Sequence, residues 1–169
     1  AESMGFNTSL QAREVRIKTS RFKPAVSDKL ELGWAGIGQS TTLVNPCHFL
    51  AIMGAIANGG EGYAPDRIYK MKGYAAGTRA PQVMISLNPE TAKQLGILLR
   101  SNIEKEYGDD RFPDLQMCGK TGTAQITGAT SHSWFVGYSQ REDLPLAVVC
   151  IAENAGSGMK TAVNVSNEV

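Results

Sequence analysis

Neither sign of charge dominates this chain of 169 residues. Seventeen lysines and arginines stand against sixteen aspartates and glutamates, a formal net charge of +1. A nucleic-acid-binding domain ordinarily carries a clear basic excess on one face, so that class is disfavoured. Long hydrophobic runs are lacking too. The longest, Phe49–Ala57 and Leu144–Ala152, fall far short of the roughly 20 apolar residues that cross a bilayer. No basic-then-apolar leader opens the chain, so no targeting segment is expected within these residues. Cysteine is sparse: Cys47, Cys118 and Cys150 are widely spaced, with no CxxC pair. An odd number cannot close a disulfide framework, and thiols in apolar stretches usually serve as small hydrophobes. No internal repeat, heptad, low-complexity tract or charge run is present. Hydrophobic residues make up 42% and charged residues 20%, which excludes wholesale disorder and suits one domain able to bury a core.

Glycine is the residue in excess: eighteen, or about 11% against an average near 7%. Such a number implies tight turns or close backbone approach, and the placement of the glycines punctuates the chain. The first thirty residues read as loop with a short strand around Glu14–Ile17. A helix follows: Asn45 caps it, Pro46 fits its first turn, Phe49, Leu50, Met53, Ile56 and Ala57 repeat at helical spacing, and Gly59-Gly60 ends it. Residues Glu61–Leu87 read as surface loop with short extended pieces. A second helix has Asn88 as cap, Pro89 and Glu90 in its first turn, a stripe of Ala92, Leu95, Leu98, Leu99 and Ile103, and Gly108 as stop. The period then changes. Met117–Gln125, Ser133–Ser139 and Pro145–Glu153 predict three strands of an antiparallel meander. The third, apolar on both faces, is expected at the centre of a sheet covered on both sides. A last helical stretch runs over Met159–Val169. The sum is an α+β fold, helices packed on an antiparallel sheet.

The densest chemical signal is Cys118-Gly119-Lys120-Thr121-Gly122-Thr123-Ala124-Gln125. A phosphate loop would need a glycine at position 114, which is Asp114, and a helix after the lysine, where the pattern is strand-like. The nucleotide reading fails on both counts. The alternative is a Lys-Thr-Gly strand lining an acyl-transfer site. A glycine-flanked strand edge can hydrogen-bond an extended peptide. The Lys120 ammonium supplies positive potential for a carboxylate and favours deprotonation of a nearby hydroxyl. The hydroxyls of Thr121 and Thr123 can bind that carboxylate, and the Thr123 N–H can face a developing oxyanion, where one donor contributes roughly 3 kcal/mol. Gly122 keeps the approach clear. Lys-Thr-Gly alone would be an ordinary hairpin strand more often than a site.

The context is what separates the two. Gly36-Ile37-Gly38-Gln39-Ser40, the stretch Thr42–Pro46 leading into Ala51–Gly60, Gly119–Gln125 and Trp134-Phe135-Val136-Gly137-Tyr138, in that order and spacing, resemble the penicillin-binding transpeptidases. The Gly-Thr-Ala-Gln ending is closer to the monofunctional, class B group than to the bifunctional enzymes or soluble β-lactamases. The resemblance implies a serine D,D-transpeptidase that cross-links peptidoglycan stem peptides and is acylated by β-lactams. It also implies the extracytoplasmic face of a bacterial cytoplasmic membrane, with no anchor read in these residues. Lys120, Thr121 and Gly122 then take the catalytic Lys-Thr-Gly positions, Thr121 and Thr123 bind the substrate carboxylate, and Gln125 stands at the strand's far end. A β-lactam-sensing or catalytically silent module is the alternative function.

Two further motifs complete such a site, Ser-x-x-Lys with the nucleophile and Ser-x-Asn. Ser20-Arg21-Phe22-Lys23 spells the first, but Pro24 follows and no apolar helical stripe surrounds it. Ser86-Leu87-Asn88 spells the second but leads into a helix as its cap. Both read as chance. The chain is therefore expected to be the C-terminal part of the domain, with the nucleophile, the catalytic helix and the N-terminal strands upstream, in the same chain or on a separate polypeptide. Trp134 and Phe135 read as core, and His48 as a satisfied structural histidine. Cys118, His132 and Asp114 come nearest to a metal set, but two sure ligands are too few. No metal or cofactor is expected.

Overall fold

In the computed structural model of the chain, the structure describes residues 1–12, 15–64 and 83–168. A short hairpin comes first, β1 (Leu10–Ala12) paired antiparallel with β2 (Val15–Ile17), Leu10 opposite Ile17. The strand expected at Glu14–Ile17 is β2, of which Glu14 lies outside the described residues. Helix α1 (Lys29–Gly36) was not expected. Asp28 is its cap, its carboxylate accepting from Leu30 N–H (2.9 Å) and Glu31 N–H (3.1 Å). Helix α2 (Pro46–Ala57) begins on Asn45, whose side chain accepts from Cys47 N–H at 2.9 Å, with Pro46 in the first turn. Gly60, at φ 120°, turns the chain into β3 (Glu61–Tyr63). Residues 65–82, the larger part of the expected loop, lie outside the described residues. Strand β4 (Val83–Ser86) pairs antiparallel with β3, and Asn88 then caps α3 (Pro89–Asn102).

Both helices turn differently from their sequence stripes. In α2 the buried face is His48, Ala51, Ile52, Met53, Ala55 and Ile56, while Leu50 faces outward. In α3 Leu98 is 62% exposed and only Ala92 and Gly96 are buried. Glycine explains the second case. The Tyr138 hydroxyl lies 2.8 Å from where a Gly96 Cβ would be, so α3 approaches the sheet at its glycine and rotates Leu98 away. After Asn102 the helix widens to a π-type turn over Ile103–Tyr107, ended by Gly108 at φ 90°.

Three long strands form the main sheet: β5 (Met117–Ile126), β6 (Ala129–Ser139) and β7 (Ala147–Ala152), antiparallel in the order β5-β6-β7. Helix α4 (Ala162–Glu168) follows a turn, so the last helix starts three residues later than its expected Met159. The central place expected for the third strand is not filled within the described residues. Among the described residues β7 is an edge strand, and β6 is the central one. Short connections place successive strands side by side, so the strand in the middle of the sequence is the one in the middle of the sheet. The two-sided apolar character of β7 reflects helices on both faces. Val149 packs into a core of α2 residues with Ile85, Cys118, Val136 and Tyr138. Cys150 and Val148 pack on the other face with Ile103, Phe112, Met117, Phe135, Ala162 and Val163. Phe135 is fully buried and stacks on Phe112, with centroids 5.0 Å apart. Trp134 is half-buried against the edge of Phe49. Cys47, expected to be a small hydrophobe, is exposed.

His48 is buried with Phe6 at 4.9 Å and is only half satisfied. One ring nitrogen, Nε2, lies 2.7 Å from the Met4 carbonyl, while Nδ1 has no partner among the described residues. Burial holds its pKa below the usual 6.5. A depressed histidine pKa leaves its stabilisation complete above about pH 6.5, where folded and unfolded forms are both neutral. It is lost as pH falls below that, because the unfolded chain takes the proton first. Urea midpoints at pH 7.5, 6.5 and 5.5 should fall by up to about 1.4 kcal/mol of stability per pH unit below 6.5. His48→Phe should flatten that slope.

Candidate functional site

All five residues singled out on the Lys-Thr-Gly segment lie on β5. The register with β6 sets Lys120 opposite Val136, Thr121 opposite Phe135, Gly122 opposite Trp134 and Thr123 opposite Ser133. Among the described residues no strand pairs with the other edge of β5. Backbone groups of alternate residues point to that edge. Thr121 N–H donates to the Tyr107 hydroxyl (3.2 Å), the Thr123 carbonyl accepts from Gln39 Nε2 (2.8 Å), and Gln125 N–H donates to Gln39 Oε1 (3.3 Å). The same alternation turns Thr123 N–H outward. An extended peptide can add to such an edge through its main chain.

Lys120 is exposed, its ammonium 3.1 Å from the Tyr107 hydroxyl and 3.0 Å from the Thr121 carbonyl, and 5.9 Å from the centroid of the Tyr107 ring. Thr121 Oγ1 lies 3.1 Å from the same hydroxyl. Burial by itself would push the Tyr107 phenol up. The hydrogen bonds from Thr121 and Lys120, with the Lys120 charge, outweigh it and bring the phenol below the usual tyrosine value. The π-type turn supplies this tyrosine, a form of helix frequent at functional sites. It is anchored by Arg100, which pairs with the Asp109 carboxylate and donates to the Met117 carbonyl at 2.8 Å, joining the end of α3 to the start of β5. The pairing holds the Asp109 carboxyl below its usual range.

Thr123 Oγ1 accepts from Gly158 N–H at 3.3 Å. Gly158 sits on the strand pair itself: a Cβ there would come within 2.6 Å of the Trp134 carbonyl and 3.0 Å of Gly122 N. On Gly122 a Cβ would press on Trp134 Cβ at 3.3 Å, with no other atom that near. The edge therefore joins a cation, two hydroxyls and alternating backbone donors and acceptors, a set of groups able to hydrogen-bond an extended peptide ending in a carboxylate.

Three contributors escaped the sequence reading. Tyr107 had no signal beyond its place before the helix-stopping Gly108. Gln39 stood in a recognised Gly-Ile-Gly-Gln run but with no role assigned. Gly158 lay in a loop. The two serine motifs are not near one another in kind. Ser20 is buried in extended chain beside the Arg21–Leu43 bridge, its hydroxyl accepting from Asn45 N–H at 2.9 Å. Ser86 ends β4, and Asn88 caps α3. Cys118 is opposite Tyr138 whereas His132 is opposite Ala124, six residues along β5, about 20 Å apart at the rise of a strand. His132 Nδ1 already accepts from Asn154 N–H (3.0 Å), and burial pushes the Cys118 thiol up. These residues cannot share an ion. Among the described residues no helix is long and apolar enough to cross a membrane.

The fold has close counterparts. With penicillin-binding protein A from M. tuberculosis, solved as an imipenem acyl-enzyme complex, the chain shares a TM-score of 0.84 at 23% identity, over 99% of this chain and 39% of that one. With the D,D-transpeptidase domain of a peptidoglycan glycosyltransferase from Eggerthella lenta the TM-score is 0.77 at 21% identity, over 98% and 44%. With Pseudomonas aeruginosa PBP2, in complex with WCK 5153, it is 0.74 at 19%, over 99% and 41%. The chain thus spans less than half the length of each. No curated protein sequence matches it. The model of the penicillin binding protein transpeptidase domain matches residues 15–169, nearly the whole chain. With the sheet, the Lys-Thr-Gly edge and that match in agreement, the chain belongs to the penicillin-binding protein transpeptidase domain family.

Proposed function

We propose that the chain is the C-terminal portion of a serine D,D-transpeptidase domain, carrying the edge that holds the acyl donor while the nucleophile lies upstream. The observation that carries this reading is the outward edge of β5, unpaired by any strand among the described residues, where Lys120 and the hydroxyls and outward backbone groups of Thr121 and Thr123 converge. In the proposed reaction a serine hydroxyl loses its proton and attacks the carbonyl between two terminal D-alanines. The C–N bond breaks, D-alanine leaves with the proton, and an ester to the serine remains. An amine of a neighbouring stem peptide then attacks that ester, forming the cross-link and returning the serine hydroxyl.

Each residue of the edge has a part. The Lys120 ammonium lowers the energy of negative charge at the substrate carboxylate and eases loss of the serine proton. Thr121 and Thr123 donate their hydroxyls to the carboxylate. Thr123 N–H, turned outward, faces the carbonyl oxygen as it becomes an anion. Gly122 leaves the strand's surface without a side chain. Gln125 continues the edge beyond Thr123. β-Lactams, which acylate the M. tuberculosis protein, would enter as mimics of the acyl donor. The extracytoplasmic face of a bacterial cytoplasmic membrane is the compartment in which such a substrate is found.

A labelled penicillin and a cross-linking assay, applied to the longer protein that contains these residues, test the reading. Acylation together with cross-linking supports it, acylation without cross-linking supports a sensor or silent module, and no acylation refutes both. Tyr107 is a positioning residue in this scheme. Tyr107→Phe removes the hydroxyl that Lys120 and Thr121 share, and should slow acylation about tenfold, the scale of one charge-assisted hydrogen bond. Its thermal midpoint should fall by only a few degrees, the shift of about 1 kcal/mol from a lost hydrogen bond in a domain of this size. The pH at which acylation is half-maximal should move, which loss of packing alone would not do.

A further inference from the structure

The outward edge of β5 is not bare. The Gln39 carboxamide donates from Nε2 to the Thr123 carbonyl at 2.8 Å and accepts from Gln125 N–H at 3.3 Å. These two groups flank Ala124 on the same edge, and a residue of a neighbouring strand running parallel would take both at once. A primary carboxamide can imitate that residue because its N–H and C=O project to the same side. Gln39 thus occupies, 84 and 86 residues away in the chain, the main-chain positions that a strand-like ligand adding to β5 would use next after Thr121.

The turn that presents Gln39 is held firmly. Gly38 and Ser40 flank it at φ 76° and 61°, the second an uncommon conformation for a residue with a side chain. Ser40 Oγ donates to the Glu31 carboxylate at 2.5 Å, tying the turn to α1. Movement of the carboxamide therefore falls to the side chain's own torsions. Space for it exists: an open cleft of about 560 Å3 lies between Leu30, Glu31 and Trp34 on one side and Gln125–Thr127 on the other, with Gln39 on its wall.

Resting on the acyl-transfer reading of this edge, we infer that Gln39 is a displaceable latch. Its carboxamide fills the Thr123 and Gln125 positions in the empty site, and an incoming acyl donor must displace it to bring a main-chain N–H to the Thr123 carbonyl and a carbonyl of another peptide group to Gln125 N–H. Gln39 then sets the acylation rate through competition, and sets which donors bind by admitting those whose main chain replaces both of its hydrogen bonds.

The test compares the longer protein with its Gln39→Ala and Gln39→Met variants. The second keeps the side chain's length and loses its hydrogen bonds, so the turn stays filled. Second-order acylation by a fluorescent penicillin is measured with amide hydrogen exchange at Gln125. The latch predicts acylation at least threefold faster in both variants, with faster exchange at Gln125 and an unchanged melting temperature. An acylation rate that is equal or lower in Gln39→Met, while Gln125 exchanges faster, would show that Gln39 braces the edge and does not compete for it. Labelling of neither the variants nor the parent would overturn the acyl-transfer reading itself, and the latch with it.

Discussion

Lys120→Ala lowers the second-order rate of penicillin acylation of the longer protein by a hundredfold or more, on the scale of about 3–4 kcal/mol that a group aimed at developing charge contributes. The loss is electrostatic. Lys120 is exposed, and what holds β5 in the sheet lies elsewhere: Met117 in one core, Cys118 in the other, and the backbone pairing with β6. Stability should therefore change by no more than about 0.5 kcal/mol. Lys120→Arg should recover a minor part of the rate. Charge is kept, but a planar guanidinium cannot occupy the compact place between the Tyr107 hydroxyl and the Thr121 carbonyl. Acylation kinetics beside a melting curve check both statements. A Lys120→Ala protein that melts normally and acylates at the parent's rate would remove Lys120 from the site.

The largest effect on the folded chain is expected at a residue outside the motif. Gly158 lies with its Cα against the β5–β6 pair, and a Cβ there meets the Trp134 carbonyl at 2.6 Å and Gly122 N at 3.0 Å, with the Gly122 carbonyl nearer still. These are backbone atoms of two hydrogen-bonded strands and cannot rotate aside as a side chain would. Gly158→Ala should cost roughly 1–3 kcal/mol, the range for overpacking. It should slow acylation as well, because the strand that must give carries Gly122 and Thr123, and Gly158 N–H is the donor to Thr123 Oγ1. Gly33→Ala is the control. No atom lies within 4 Å of its Cβ position, within α1, and glycine in a helix interior costs about 0.5–1 kcal/mol relative to alanine. Denaturant midpoints should therefore move in opposite directions for the two variants.

What could be read from the residues divides along physical lines. Helices α2 and α3 were legible because Asn45-Pro46 and Asn88-Pro89 are strong local start signals and act without tertiary help. The three strands were legible from the change of period, though β6 begins four residues before the expected Ser133, since a hairpin extends as far as its partner allows. Helix α1 was missed. Leu30 and Trp34, with Ile37 just past its end, follow helical spacing, but Leu32 lies off that face and all four stay exposed, so the short stripe packs on no core, and the Asp28 cap with Glu31 three residues on was the other mark. The rotation of α3 was illegible because a glycine's close approach to Tyr138 is a tertiary fact. Of the site, the segment from Lys120 to Gln125 was legible as a motif. The contributions of Tyr107, Gln39 and Gly158 come from 13, 84 and 35 residues away in sequence, through a few isolated hydrogen bonds that leave no periodic trace.

The central claim, that β5 is the substrate edge of a transpeptidase site whose nucleophile lies before Ala1, has a direct test. The 169-residue chain and the longer protein are each mixed with a penicillin, and the adduct is located by peptide mass spectrometry. The account predicts one penicilloyl group on a serine upstream of Ala1 in the longer protein, and none on the chain alone. An adduct on a serine within these residues, Ser20 first among them, or no adduct on either protein, would contradict it.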